Sequence, residues 1–215
     1  MKKLNDFGLY FITDSRLTKK SAIDDVHSAV KGGVKIVQYR EKDAPAKQMV
    51  QEALEIMGIC RKNDVLFIVD DRVDVALAVD ADGVHLGQND IPYNYARKLL
   101  GRDKIIGLSA HSVEDALRNQ KLGADYTGLG PIYCTTTKKD AKYPIGLEPI
   151  RQLKGNMEIP FVAIGGINES NIGQVLKAGA RNIAMISAIV AKDDVEKTVR
   201  NYVAKIKSIK KDNFK

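Results

Sequence analysis

Short apolar runs alternate with longer amphipathic stretches along this 215-residue chain, and that alternation most limits what it can fold into. Runs at residues 9–13, 34–39, 66–69, 84–86, 105–108, 127–129, 160–164 and 183–186 read as strands. Between them, residues 21–31, 44–63, 73–79, a stretch after Pro92, residues 112–122, 170–178 and 193–209 read as helices. Ser21 and Ser112 stand where N-caps belong, and Gly32-Gly33 where the first helix must stop. Strands separated by helices must run parallel, because the crossover returns each strand in the same direction. Eight such units in about 200 residues predict α/β architecture closed on itself as a single (β/α)8 barrel, a TIM barrel, spanning residues 1–215 as one domain. No Gly-x-Gly-x-x-Gly follows the first strand, which argues against an open dinucleotide-binding sheet. Glycine-bearing turns at Gly32-Gly33, Asp80-Ala81-Asp82-Gly83, Gly123-Ala124-Asp125 and Gly179-Ala180-Arg181 precede every second strand. They lie at the N-terminal end of the barrel and read as stability features.

Composition supports a folded chain: 44% of residues are hydrophobic and 28% charged, enough to bury a core. No apolar run approaches the length of a membrane span, and the start of the chain lacks the apolar stretch of a signal peptide. Cys60 and Cys134 form neither a Cys-x-x-Cys pair nor a disulfide framework. A cytoplasmic protein is expected. The net charge of +7 owes much to the lysines at 205–215. They are read as a solvated helix end and a basic, frayed tail from about 205, rather than as a nucleic-acid surface, which would interleave cations with aromatics. The oligomeric state is not legible.

A barrel of this kind carries its chemistry where strands end and the next loops begin. Those ends hold Gln38-Tyr39-Arg40-Glu41-Lys42, Asp70-Asp71-Arg72, Gly87-Gln88-Asn89-Asp90, Ser109-Ala110-His111, Thr135-Thr136-Thr137-Lys138, Gly165-Gly166 and Ser187-Ala188. Gly165-Gly166 ahead of Asn168-Glu169-Ser170 offers backbone amides at an expected helix start, suited to a phosphate, or is simply a tight turn. Asp71 and Asp90 are an oxygen-donor pair fit for Mg²⁺, or ion-pair partners for Arg40, Arg72 or Lys42. Arg40, Lys42 and Lys138 could together neutralise a diphosphate. The segment 130–146 is long enough to close over a site. His27 and His85 read as structural, and His111 as either structural or part of the site.

These same segments, with Asp71-Arg72-Val73-Asp74, Asp82-Gly83-Val84-His85-Leu86-Gly87-Gln88, Gly128-Leu129-Gly130-Pro131-Ile132 and Ala163-Ile164-Gly165-Gly166-Ile167, resemble the thiamine phosphate synthase family, in order, from Gln38 to Ser187. The resemblance implies a transferase that joins a pyrimidine methyl diphosphate to a thiazole phosphate, releases diphosphate and requires Mg²⁺. It implies Gln38, Tyr39, Arg40, Glu41, Lys42, Asp70, Ser109 and Lys138 around the pyrimidine diphosphate, with Arg40, Lys42, Ser109 and Lys138 catalytic. It implies Thr135, Thr136, Thr137, Gly166, Ile186 and Ser187 around the thiazole phosphate, and Asp71 and Asp90 on the metal. Asp70 departs from the family pattern, which usually has Asn there. A related thiazole tautomerase is expected to lack the full threonine–lysine loop and the paired aspartates; this sequence carries Thr135-Thr136-Thr137-Lys138 and both Asp71 and Asp90, which favours the synthase.

Overall fold

Eight parallel strands hydrogen-bond in chain order, and the last closes on the first: β1 (Leu9–Ile12), β2 (Ile36–Tyr39), β3 (Leu66–Asp70), β4 (Gly83–Leu86), β5 (Ile105–Ala110), β6 (Tyr126–Leu129), β7 (Phe161–Ala163) and β8 (Asn182–Met185). The computed structural model describes residue 4, residues 6–137 and residues 143–213, with side chains through Lys211. Helices α1 (Ala22–Gly32), α2 (Ala46–Lys62), α3 (Val73–Ala78), α4 (Tyr93–Leu100), α5 (Val113–Leu122), α6 (Glu148–Leu153), α7 (Ile172–Ala178), α8 (Ser187–Val190) and α9 (Val195–Asn213) form the outer layer. The expected single TIM barrel is the fold observed.

The caps sit where the sequence places them. Ser21 and Ser112 accept hydrogen bonds from the amides of Asp24 and Asp115, three residues on. Gly33 and Gly123 take left-handed conformations that end α1 and α5. Two elements go beyond the sequence reading. The six residues of α6 offer too short a period to register, although Pro149 in the first turn is a helix-start signal. The four residues of α8 turn the chain directly off β8.

The turns beneath alternate strands do more than stop helices. Asp82 accepts from the Phe67 amide at 2.8 Å, and Asp125 from the Ile106 amide at 2.8 Å. Asn182 does the same for Phe7 and Gly8 at 3.0 and 3.1 Å. Each stitches the start of an even strand to the start of the odd strand before or after it, satisfying amides at the rim of the barrel.

The last helix, α9, runs through Asn213, past the expected end at residue 209. Lys205 donates to the Glu169 carbonyl at 2.8 Å, and Lys210 pairs with Asp6. These cations tie α9 down instead of presenting an open basic surface. Among the described residues no helix is long and apolar enough to cross a membrane.

Strand geometry sends alternate side chains to opposite faces. Phe11, Val37, Phe67, Val69, Val84 and Ile106 are fully buried. Tyr10 and Tyr126 meet inside the barrel, their hydroxyls 2.9 Å apart. Gly107 on β5 makes room for them: a Cβ there would lie 2.1 Å from the Tyr126 ring. Gly107→Ala should therefore destabilise the fold by about 1–3 kcal/mol through overpacking, read as a lower urea midpoint with the urea slope unchanged.

Candidate active site

At the C-terminal end of the barrel the strand ends surround a cavity of about 440 Å³, in the range of small-molecule sites. One side is built by β2, β3 and β4. Gln38, Arg40 and Lys42 reach it from the end of β2, and Asp71 and Asp90 from the loops after β3 and β4. The facing side is built by β6, β7 and β8 through Thr135, Thr137, Gly165, Gly166, Ile186 and Ser187.

Arg40 is 5% exposed and pairs with Asp14, which is 3% exposed. Thr13 holds the same corner by accepting from the Arg40 amide at 2.9 Å. Asp70, also buried, lies 2.8 Å from Lys42 Nζ and 3.7 Å from Arg40 Nε. Lys42 also contacts Asp71. Burial pulls the Lys42 ammonium down, but Asp70 and Asp71 outweigh it and hold its pKa above the ordinary lysine value. Asp71 adopts φ 60°, a left-handed conformation that Asp tolerates better than most residues. Its amide donates to the His85 carbonyl at 2.8 Å, which fixes it against β4.

Asp90 accepts from the Gly87 amide at 2.6 Å. Its pKa is raised, first by burial and then by the hydrogen bond with Asp71. Asp14, Asp70, Asp71 and Asp90 thus stand against the cations Arg40 and Lys42. Asp71 and Asp90 are in mutual contact and offer oxygen donors of the kind a hard divalent cation takes, while Asp14 and Asp70 are committed to Arg40 and Lys42; among the described residues no group of three or more potential metal ligands gathers.

Tyr39 and Glu41 do not join this group. Tyr39 points outward and donates to Glu52 on α2 at 2.7 Å. Glu41 folds back to accept from the Asp43 and Ala44 amides. Strand alternation explains the split: Gln38 and Arg40 share the inner face, and Tyr39 takes the outer one. Thr136 is exposed between its neighbours, whereas Thr137 lies 3.3 Å from the Ser187 hydroxyl. Ser109 faces the cavity from β5, 3.0 Å from His85 Nε2. His111 also lines the cavity, its Nδ1 2.6 Å from the Gly130 carbonyl. Lys138 and its neighbours through residue 142 lie outside the described residues.

The glycine pair also differs from expectation. α7 begins only at Ile172, and the Asn168 and Ser170 amides are taken by side chains of the same turn. No helix start follows the pair directly. Gly165 and Gly166 instead have positive φ, and a Cβ on Gly166 would lie 2.5 Å from the Cys134 carbonyl. The backbone here packs too closely for any side chain, leaving a smooth wall opposite Arg40. The sequence reading misses Tyr10, Asp14, Arg16 and Tyr126. Arg16 also lines the cavity and pairs with Asp43 at 2.5 Å.

A closed (β/α)8 barrel with ionic groups gathered at its C-terminal mouth has the build of a barrel enzyme. Residues 9–189 match the thiamine monophosphate synthase family (TMP-TENI). The chain is 51% identical over 208 residues to a thiamine-phosphate synthase of Methanosarcina barkeri, covering 97% of this chain and 94% of that one. It is 51% identical over 196 residues to one of Chloroflexus aurantiacus, covering 91% and 90%. The solved thiamine phosphate pyrophosphorylase of Pyrococcus furiosus is 42% identical with a TM-score of 0.88, covering 95% and 98%. The chain belongs to the thiamine monophosphate synthase family, and it is an enzyme of the transferase class.

Two outcomes follow from the site's charges. Asp14→Ala leaves the buried Arg40 charge without its partner and should cost about 3–5 kcal/mol, measured by urea unfolding. Asp90 has a folded pKa above its unfolded one, so what it adds to stability is present below the unfolded value and is lost as pH rises through the folded value. Asp90→Asn, in metal-free buffer, should be more stable than the parent at pH 7, with the difference vanishing as pH falls below about 4. Equal melting temperatures at both pH values would contradict the coupling to Asp71.

Proposed function

We propose that this chain is a thiamine phosphate synthase. It joins 4-amino-2-methyl-5-(diphosphooxymethyl)pyrimidine to a thiazole phosphate, giving thiamine phosphate and diphosphate. The observation that carries the reading is the arrangement of one cavity. Arg40, Lys42 and the Asp71–Asp90 pair lie on one side, and Thr135, Thr137, Gly166 and Ser187 on the other, so two anionic groups can be held at opposite ends. The family match over most of the chain supports the same assignment.

In this reading Gln38 and Ser109 face the pyrimidine, with Asp70 behind them holding Lys42. Arg40, Lys42 and Lys138 take up charge on the departing diphosphate. Asp71 and Asp90 would hold Mg²⁺, which when bound neutralises diphosphate oxygens. The bond between the pyrimidine methylene carbon and oxygen breaks, and its electron pair leaves with diphosphate. The thiazole nitrogen then donates its lone pair to the methylene cation and forms the new carbon–nitrogen bond. Fixed cations at the leaving group lower the first barrier, because charge develops there. Water would capture the cation, so the walls of the cavity and the 130–146 segment matter by excluding it. Thr135, Thr136, Thr137, Gly166, Ile186 and Ser187 surround the thiazole phosphate.

The test is diphosphate release by the purified chain, with each substrate and Mg²⁺ omitted in turn. Release in step with thiamine phosphate, and only with all three present, is the expected result. Asp71→Ala should cut turnover about a hundredfold or more and raise the Mg²⁺ concentration needed. Lys138→Ala should slow coupling by a similar factor while leaving the melting temperature near the parent's. An unchanged Mg²⁺ requirement in Asp71→Ala would remove the metal assignment.

A further inference from the structure

Five side chains cross the barrel interior beneath the cavity as one hydrogen-bonded chain. Gln38 Nε2 donates to the Tyr10 hydroxyl at 3.0 Å. The Tyr10 and Tyr126 hydroxyls are 2.9 Å apart. Tyr126 Oη is 3.0 Å from His85 Nδ1, and His85 Nε2 is 3.0 Å from Ser109 Oγ. All five line the cavity from β1, β2, β4, β5 and β6.

Hydrogen counting orders this chain. Burial holds both phenols protonated, so each has one hydrogen to give. Tyr10 already accepts from Gln38, and its hydrogen goes to Tyr126. Tyr126 then gives its own to His85 Nδ1, which must be the bare nitrogen of a neutral ring. The ring hydrogen therefore sits on Nε2 and points at Ser109 Oγ. In the opposite order the Tyr10 hydrogen would have no acceptor in a fully buried position, at the cost of an unmade hydrogen bond.

The consequence falls at the two ends. Ser109 accepts from His85 and keeps its own hydrogen for the cavity. Gln38 gives Nε2–H inward, so Oε1 is the acceptor it has outside the chain. From this geometry we propose that Tyr10, Tyr126 and His85 are positioning residues that fix Gln38 as an acceptor and Ser109 as a donor. A pyrimidine held between them would meet an acceptor at Gln38 and a donor at Ser109, which favours an aminopyrimidine, with its amino donor and ring-nitrogen acceptors, over an oxo ring with the reverse pattern. This rests on the proposed pyrimidine substrate and deepens it by naming what sets the specificity.

The experiment has two arms. In the first, ¹⁵N NMR of the substrate-free protein, with the His85 signals assigned by their loss in His85→Gln, reads the tautomer directly. A neutral ring protonated on Nε2 is expected; protonation on Nδ1 overturns the proposal whatever the enzyme turns over. In the second, kcat/KM is compared for the 4-amino pyrimidine diphosphate and its 4-oxo analogue. The parent should prefer the amino ring, and Tyr126→Phe, which breaks the relay at its centre, should reduce that preference by about ten- to a hundredfold. A purely structural loss would lower both rates equally and keep the ratio, which would refute the positioning role. Should Tyr126→Phe not fold, Tyr10→Phe carries the same comparison by freeing the Gln38 amide. If the parent turns over neither ring, the substrate reading fails, and the tautomer result still decides the order of the relay.

Discussion

Closure of the sheet is the constraint on which everything else depends. Once β8 pairs with β1, the sheet has no edge, and each inward side chain must share a narrow interior with those from seven other strands. Outward residues such as Phe11, Phe67 and Ile106 can be apolar because helices cover them. Inward residues near the C-terminal mouth can be polar only if they satisfy one another. Tyr10, Gln38, His85, Ser109 and Tyr126 do so in a single chain of hydrogen bonds. The glycines at 107 and 128 complete that solution, because a Cβ at either would press on the Tyr126 or His85 ring. Packing and recognition are thus met by the same residues.

The sequence made the barrel legible because its two periods differ so plainly. Runs of three to six residues between amphipathic helices leave few topologies, and capping serines with glycine stops mark the helix limits. α6 and α8 escape because four to six residues carry too little periodicity to distinguish from loop. The C-terminal lysines look like solvated charge in sequence, and only tertiary partners such as Asp6 and the Glu169 carbonyl show them anchored.

The site was legible in part, for a physical reason visible at β2. A motif is read as a contiguous string, but a strand splits it by parity. Gln38 and Arg40 face the cavity while Tyr39 binds Glu52 on α2. The same parity hides Tyr126. The apolar run suggests a strand beginning at Thr127, whereas β6 begins one residue earlier and turns Tyr126 inward. Asp14 was invisible because its partner Arg40 is 26 residues away and the pairing depends on two adjacent strand ends.

The charges show why Asp70 is tolerable where the family usually has an amide. A buried carboxylate costs desolvation energy, and beside the proposed diphosphate it would add repulsion. Here it is already compensated: Lys42 lies 2.8 Å away and Arg40 Nε 3.7 Å away, and Asp70 stands behind them rather than on the cavity wall. Its negative charge is spent on holding those cations at the cavity. Lys42 is shared between Asp70 and Asp71 and is only partly buried, so its remaining hydrogen can reach a third anion without breaking the buried contact. Arg40 is held differently, by Asp14, with Nε lacking a hydrogen-bond partner among the described residues. One cation is adjustable and the other fixed, and the carboxylates around them set that difference before any ligand arrives.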